Sequence, residues 1–209
     1  MKVASSRLII ALTGASGALY GIRLLEVLRE MPEVETHLLV SQAAQQTIAL
    51  ETDWQPRDVT ALADVTYRVT DIAAAISSGS FQTLGMVVVP CSMKTLSAIA
   101  TSHSDDLIGR AADVTLKERR PLVLVPRETP LHLGHLRLMV QAAELGAIIV
   151  PPMPAFYTRP KTIPEIVDHL ILRILDLFGL EAPREISPRW MGARQMSAER
   201  RPRPRGGQR

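Results

Sequence analysis

The segment from Arg110 to Pro130, RAADVTLKERRPLVLVPRETP, sets cations and a carboxylate around one apolar run. Arg110 and Lys117 lie seven residues apart on a helical pattern, so two turns return them to nearly the same face, where both could address one anion. Leu122 to Val125 reads as a short interior strand. Arg127 and Glu128 follow at its carboxyl end, the edge at which open α/β sheets place their ligands. Opposite charges there point to chemistry on a phosphate. The same residues also suit a solvated amphipathic helix followed by a surface ion pair, and taken alone that plainer arrangement is the commoner one.

Three hydroxyl-bearing turns add to this edge. They are Thr13-Gly14-Ala15-Ser16-Gly17-Ala18 after the first candidate strand, Ser41 after the second, and Pro90-Cys91-Ser92-Met93-Lys94-Thr95 after the third. Short hydroxyl residues at helix starts, with free backbone N–H groups, make an anion cradle without a lysine-centred P-loop. Each turn alone has a plain structural reading, since Ser and Thr are ordinary N-caps and Gly14 and Gly17 could serve only close helix–strand packing. Three on one edge favour a nucleotide or flavin phosphate. The G-x-G-x-x-G dinucleotide fingerprint is absent, which favours a mononucleotide such as FMN over NAD. Cys91 has no evident base nearby and reads as a small buried hydrophobe. The five histidines show no metal-ligand spacing, and no metal is expected.

The elements that must position these residues alternate along the chain. Candidate strands are Leu8 to Leu12, Thr36 to Val40, Met86 to Pro90, Leu122 to Pro126 and Ala147 to Val150. Helical patterns lie near Ala18 to Glu30, Gln42 to Glu51, Thr95 to Ala100, Asp105 to Arg119 and His132 to Leu145. A last helix runs from about Ile163 to Phe178, capped by Thr162 and stopped at Gly179. This order predicts βαβ units and a parallel sheet covered by helices on both faces. Thr52 to Phe81 is the least regular segment, and Ser77 to Ser80 reads as a mobile loop.

At 209 residues and 46% hydrophobic composition, the chain suits one globular domain with a full core. One cysteine cannot form an internal disulfide, which fits a reducing compartment such as the cytoplasm. The apolar run at Leu8 is too short for a signal peptide, and no run approaches the roughly 20 residues of a spanning helix, so a soluble protein is expected. The net charge of +3 comes from one end: residues 193–209 hold six arginines and one glutamate, leaving 18 basic against 20 acidic residues elsewhere. That asymmetry argues against specific nucleic-acid recognition, and residues 193–209 read as a disordered basic tail after a domain spanning residues 1–192.

Taken together, these turns and the cationic segment resemble the UbiX family of flavin prenyltransferases, formerly described as aromatic acid or polyprenyl-hydroxybenzoate decarboxylases. The resemblance covers roughly Leu8 to Trp190 and also rests on Ser78-Gly79-Ser80-Phe81, Ala111-Ala112-Asp113, Leu116-Lys117-Glu118, Pro126-Arg127-Glu128 and the Pro154 to Tyr157 turn. It implies a single flavodoxin-like domain that binds FMN and joins the dimethylallyl group of dimethylallyl phosphate to N5 and C6 of reduced FMN. The product would be prenylated FMN, delivered to a UbiD-type decarboxylase. The family's trimer-based dodecamers imply a homo-oligomer. By position, Gly14, Ala15, Ser16, Ser41, Ser92, Met93, Lys94, Thr95 and Arg127 look like FMN contacts. Arg110, Lys117, Glu128, Tyr157 and Arg173 look like residues around the prenyl phosphate. Ser16, Glu51, Lys117, Glu128 and Trp190 look like the catalytic set.

Two other readings share parts of this pattern. An FMN-dependent decarboxylase of the phosphopantothenoylcysteine or lantibiotic type would carry Pro-Ala-Ser-Ala-Asn and Pro-x-Met-Asn segments, where this chain has Pro90-Cys91-Ser92-Met93-Lys94 and Pro152-Met153-Pro154-Ala155-Phe156-Tyr157. A non-catalytic flavin carrier would need the cradle but not the Lys117, Glu128, Tyr157 and Arg173 set. One departure from the UbiX pattern is Leu138, which stands where the family commonly has asparagine and bears on helix packing or a subunit contact.

Overall fold

The computed structural model describes residues 6–190 and 192; the expected tail lies outside the described residues. Six strands form one parallel sheet in the order β3-β2-β1-β4-β5-β6. They are β1 (Ser6–Leu12), β2 (Val34–Val40), β3 (Val65–Tyr67), β4 (Gly85–Cys91), β5 (Leu122–Pro126) and β6 (Ile148–Ile149). Every residue of β4 and β5 is buried, as a strand covered on both faces requires. The flavodoxin-like α/β architecture expected from the sequence is the one observed.

Strand order reverses between β1 and β4. Chain progression from β1 runs outward to β2 and β3, and from β4 outward to β5 and β6. One face is covered by α1 (Ala18–Arg29), α2 (Gln42–Glu51), α3 (Pro56–Thr60) and α7 (Ile163–Leu177), whose buried residues share a core with Leu8, Ile10 and Leu12. The other face carries α4 (Met93–Ala100), α5 (Leu107–Lys117) and α6 (Leu133–Glu144), packed on Ile9, Ala11, Met86 and Val88. The loops that follow β1 and β4 therefore diverge to opposite faces. They open a crevice at the carboxyl edge, the switch point at which such sheets bind ligands.

The irregular segment of the sequence contains two elements that the pattern does not reveal. Pro56 opens the five-residue α3, and three-residue β3 pairs with β2 at the sheet margin, His37 opposite Val65. Elements this short carry too few residues to display a period. The Ser77 to Ser80 stretch, expected to be mobile, is tied down: Arg120 donates to the carbonyls of Gly79 and Phe81, each at 2.7 Å, and neighbouring Ile76 is buried.

Candidate active site

At the switch point, Thr13 joins the two diverging loops. Its hydroxyl donates to the Pro90 carbonyl at 2.8 Å and accepts the Ser92 N–H at 2.8 Å. Ser41 caps α2 by accepting the Ala44 N–H, and Ser92 caps α4 by accepting the Thr95 N–H while lying 3.1 Å from the Thr95 hydroxyl. A cavity of about 430 Å³ opens here, lined by Gly14, Ser41, Ser92, Lys94, Thr95 and Asp106 among others. Gly14 is required by close approach, because a Cβ there would stand 2.4 Å from the Ala43 Cβ.

Two helix N-termini, three hydroxyls and a lysine form a donor set suited to a phosphate, and the volume falls in the range of small-molecule sites. Asp106 also lines the cavity, but its carboxylate is engaged as the α5 cap, accepting the Gly109 N–H at 2.8 Å. The residues present thus fit a mononucleotide phosphate. Ala15 is buried, and Met93 packs partly against the second core; neither lines the cavity.

A second group surrounds the start of α1. Gly17 adopts φ 107°, a left-handed conformation that glycine accepts without strain, and this turns its N–H and that of Ala18 toward one carboxylate oxygen of Glu51, at 2.8 and 3.2 Å. Burial pushes the Glu51 carboxyl up. The Ser16 hydroxyl, the two backbone N–H groups and the Arg127 charge outweigh it and hold the group below the usual carboxylate range. Arg127 also lowers Tyr20, but burial prevails there and raises the phenol. Ser16, from the loop after β1, and Arg127, from the loop after β5, therefore both act on Glu51 at the end of α2. Glu128, the next residue, is exposed and accepts its neighbour Thr129's N–H at 2.9 Å.

Arg110 and Lys117 do not join either group within one chain. Arg110 pairs with Asp113 at 2.9 Å in the second turn of α5, and Lys117 pairs with Glu118 at 2.5 Å at the far end of that helix. Lys117 sits beside Gly79 at the amino edge of the sheet, opposite the cavity. Seven helical residues separate the two along the axis by about 10.5 Å, so sharing a face does not bring them to one anion.

The last expected residues gather on α7. Tyr157, in the one-turn 3-10 segment Phe156–Thr158, lies 2.8 Å through its hydroxyl from His169 Nε2 and stands edge-on to Trp190, ring centroids 5.3 Å apart. Arg173 bonds Asp176 at 2.8 Å, and Asp176 also receives a two-pronged contact from Arg189 at 2.8 and 2.9 Å. Cys91 is fully buried, and burial pushes its thiol up to about 12, so it is no nucleophile. Among the described residues, no group of three or more His, Cys, Asp or Glu is placed to hold a metal ion, and no helix is long and apolar enough to cross a membrane.

The family described as Flavoprotein matches residues 2–174. The chain is 62% identical over 187 residues to flavin prenyltransferase UbiX of Escherichia coli strain K12, covering 90% of this chain and 99% of that one. The chain belongs to the UbiX flavin prenyltransferase family. Among solved structures, it is similar to a dodecameric FMN-dependent UbiX-like decarboxylase from Escherichia coli O157:H7, at 56% identity and TM-score 0.86, covering 89% of this chain and 100% of that one. It is equally similar in fold to AnUbiX (PadA1) in complex with FMN and dimethylallyl pyrophosphate, at 52% identity and TM-score 0.86, covering 90% and 98%.

Within this UbiX fold, two features of the site escape sequence reasoning. Asp106 closes the cavity, although its place before the apolar Leu107-Ile108 pair is an ordinary capping signal. His169 precedes Arg173 by one helical turn, a spacing that could have flagged it. Leu138, the departure from the family pattern, packs against the second core and leaves Leu133, Leu136 and Val140 exposed along α6.

Proposed function

We propose that this chain transfers the dimethylallyl group of dimethylallyl phosphate to reduced FMN, with the cavity residues Ser41, Ser92, Lys94 and Thr95 holding the flavin phosphate. The observation that carries the reading is the hydroxyl-capped cavity at the β1/β4 switch point, in a chain 52% identical to a protein that holds FMN with a dimethylallyl ester. When bound, reduced FMN supplies two nucleophilic positions, N5 and C6.

Breaking the allylic carbon–oxygen bond leaves negative charge on phosphate and positive charge on the allyl fragment. Lys117, Arg110 and Arg173 offset the first, and the Tyr157 hydroxyl donates to it. Glu128 protonates the departing phosphate, and its open position at the carboxyl edge leaves it free to meet a ligand. The Trp190 π face, partly exposed beside Tyr157, stabilises the allyl cation. Ser16 and Glu51 form the floor of the flavin ring site with Arg127, and bond formation at C6 releases a proton to a carboxylate or to the leaving phosphate.

Lys117 stands at the amino edge of its own sheet, so it serves this reaction from a neighbouring subunit of a trimer-based dodecamer, a reading supported by the 56% identical relative, which is dodecameric. The product, prenylated FMN, passes to a UbiD-type decarboxylase, and the chain works in the cytoplasm. Mass spectrometry of the flavin tests the reaction after the pure protein is incubated with FMN, reductant and either dimethylallyl phosphate or the diphosphate. A flavin enlarged by one five-carbon unit is expected with the monophosphate. Unmodified flavin with both donors overturns the reading, and product from the diphosphate alone overturns the choice of donor.

A further inference from the structure

Residues 180–190 follow α7 as a strap laid against α1 and α7. Leu180, Ala182 and Ile186 pack on the core those helices share, and Ser187 is buried. Upstream of this plug, Arg184 clamps Glu30 at the end of α1 with two contacts of 3.2 Å. Downstream of it the strap leaves the core: Pro188, Arg189 and Trp190 are all exposed, Trp190 by 55%. Packing therefore fixes the strap as far as Ser187, and what places Trp190 must act beyond that point.

The contacts beyond Ser187 converge on Asp176. Its Oδ1 accepts Arg189 Nη2 at 2.8 Å, and its Oδ2 accepts both Arg189 Nη1 at 2.9 Å and Arg173 Nη1 at 2.8 Å. A two-pronged guanidinium–carboxylate contact fixes the plane of the arginine as well as its distance. The Arg189 hydrogen bond, and then the charges of Arg189 and Arg173, hold the Asp176 carboxyl below its usual range against the opposing effect of burial. Trp190 is the residue next to Arg189, and its ring stands edge-on to Tyr157, 5.3 Å between centroids at 78°. One carboxylate thus ties together two residues far apart in the chain, Arg173 on the helix and Trp190 at the end of the strap.

We propose that Asp176 is a positioning residue that holds Trp190 beside Tyr157 through Arg189 and orients Arg173 with the same carboxylate. Its significance for prenyl transfer rests on the function proposed above, in which Arg173 and Trp190 serve one site; the anchoring itself does not. Asp176 acts by charge and geometry alone, with no proton transferred and no contact of its own with a ligand.

The full-length chain carrying Trp54→Phe keeps Trp190 as its single tryptophan, so fluorescence anisotropy and acrylamide quenching read the position of that ring without any substrate. Asp176→Ala and, separately, Arg189→Met are expected to lower the anisotropy and to raise the ratio of released to docked Trp190 by about fivefold, the upper scale of an exposed ion pair. Asp176→Glu should restore most of the docking. Arg184→Met, which cuts the strap's other anchor upstream of the buried plug, should leave Trp190 at its starting value. Arg189→Met removes an exposed side chain outside α7, so it tests the anchor even if Asp176→Ala disturbs the helix. Unchanged quenching in Arg189→Met, or equal release by Arg184→Met, overturns the proposal. In single-turnover prenyl transfer with FMN retained, Asp176→Ala should lose more rate than Arg189→Met, because it also unties Arg173, and the double variant should be no slower than Asp176→Ala. Additive losses overturn the shared role. Wild-type protein that makes no prenylated flavin sinks the proposed function instead, and the fluorescence comparison still decides the anchor.

Discussion

The two ends of helix α5 differ in what they offer a ligand. At its start, Asp106 caps the helix and faces a cavity where Ser41, Ser92, Lys94 and Thr95 converge from the starts of α2 and α4. At its end, Lys117 faces Glu118 and Gly79 on the opposite edge of the sheet and pairs with its own neighbour, Glu118, as counter-charge. Burial of Glu118 is slight, and hydrogen bonding by Lys117 is the main cause that holds its carboxyl below the usual range. One edge is a concave, multi-loop site, while the other is a cation presented outward. A parallel sheet explains this: the crossover helix α5 begins at the carboxyl edge and ends at the amino edge ahead of β5, so Lys117 at its end stands away from its own chain's switch-point cavity.

The largest effect expected from breaking this comparison is complementation. Lys117→Ala and Ser92→Phe proteins should each be inactive, the first lacking the outward cation and the second with its cavity filled. Exchanging their subunits should restore part of the prenyl transfer, because some sites then pair an intact cavity with an intact lysine. No recovery after subunit mixing is demonstrated would mean that Lys117 acts within its own chain or not at all. The Ser92→Phe protein should also lose FMN on desalting, visible as loss of the flavin absorbance band.

Next in size is Glu128→Gln. The amide preserves shape and can still accept the Thr129 N–H, but it cannot give up a proton, so single-turnover formation of prenylated flavin should fall by about 10²- to 10⁴-fold with FMN retained. An unchanged rate removes Glu128 from proton transfer. Smaller again is Gly14→Val. The added side chain meets the Ala43 methyl in the first turn of α2, and overpacking of this kind typically costs about 1–3 kcal/mol, readable as a lower denaturant midpoint together with weaker FMN binding.

The smallest expected effect concerns pH. The folded-state pKa of Glu51 is depressed, so its contribution to stability is present above the unfolded carboxylate value of about 4.3 and is lost as pH falls through the folded value. Glu51→Gln should therefore lower stability near neutrality and flatten the acid limb of a stability–pH curve relative to wild type. Parallel curves for the two proteins would show that the carboxylate's contacts with Gly17 and Ala18 carry no net stabilisation.

Local pattern was enough to read every described strand but β3 and every described α-helix but α3. Each buries a stripe or run whose period is set by its own geometry, and α2 and β5 end at the residues expected. Serine and threonine before apolar runs were legible as caps, and Ser41, Ser92 and Thr162 do accept helix N–H groups. Pro56–Thr60 and Val65–Tyr67 were not legible, because a five-residue helix and a three-residue margin strand are held by their neighbours and not by a repeat of their own.

Residue types and their order along the chain determined that a phosphate-binding edge exists and which turns build it, since helix starts after parallel strands must fall on one side of the sheet. Family membership was likewise carried by motifs in linear order. Only the tertiary structure decided which groups act on one another: Glu51 reaches the α1 start from 34 residues away, and Tyr157 meets His169 and Trp190. The physical reason is that a hydrogen bond acts over about 3 Å, whereas chain order specifies only which elements exist and in which direction they run. Distances across loops are set by the packing of whole layers.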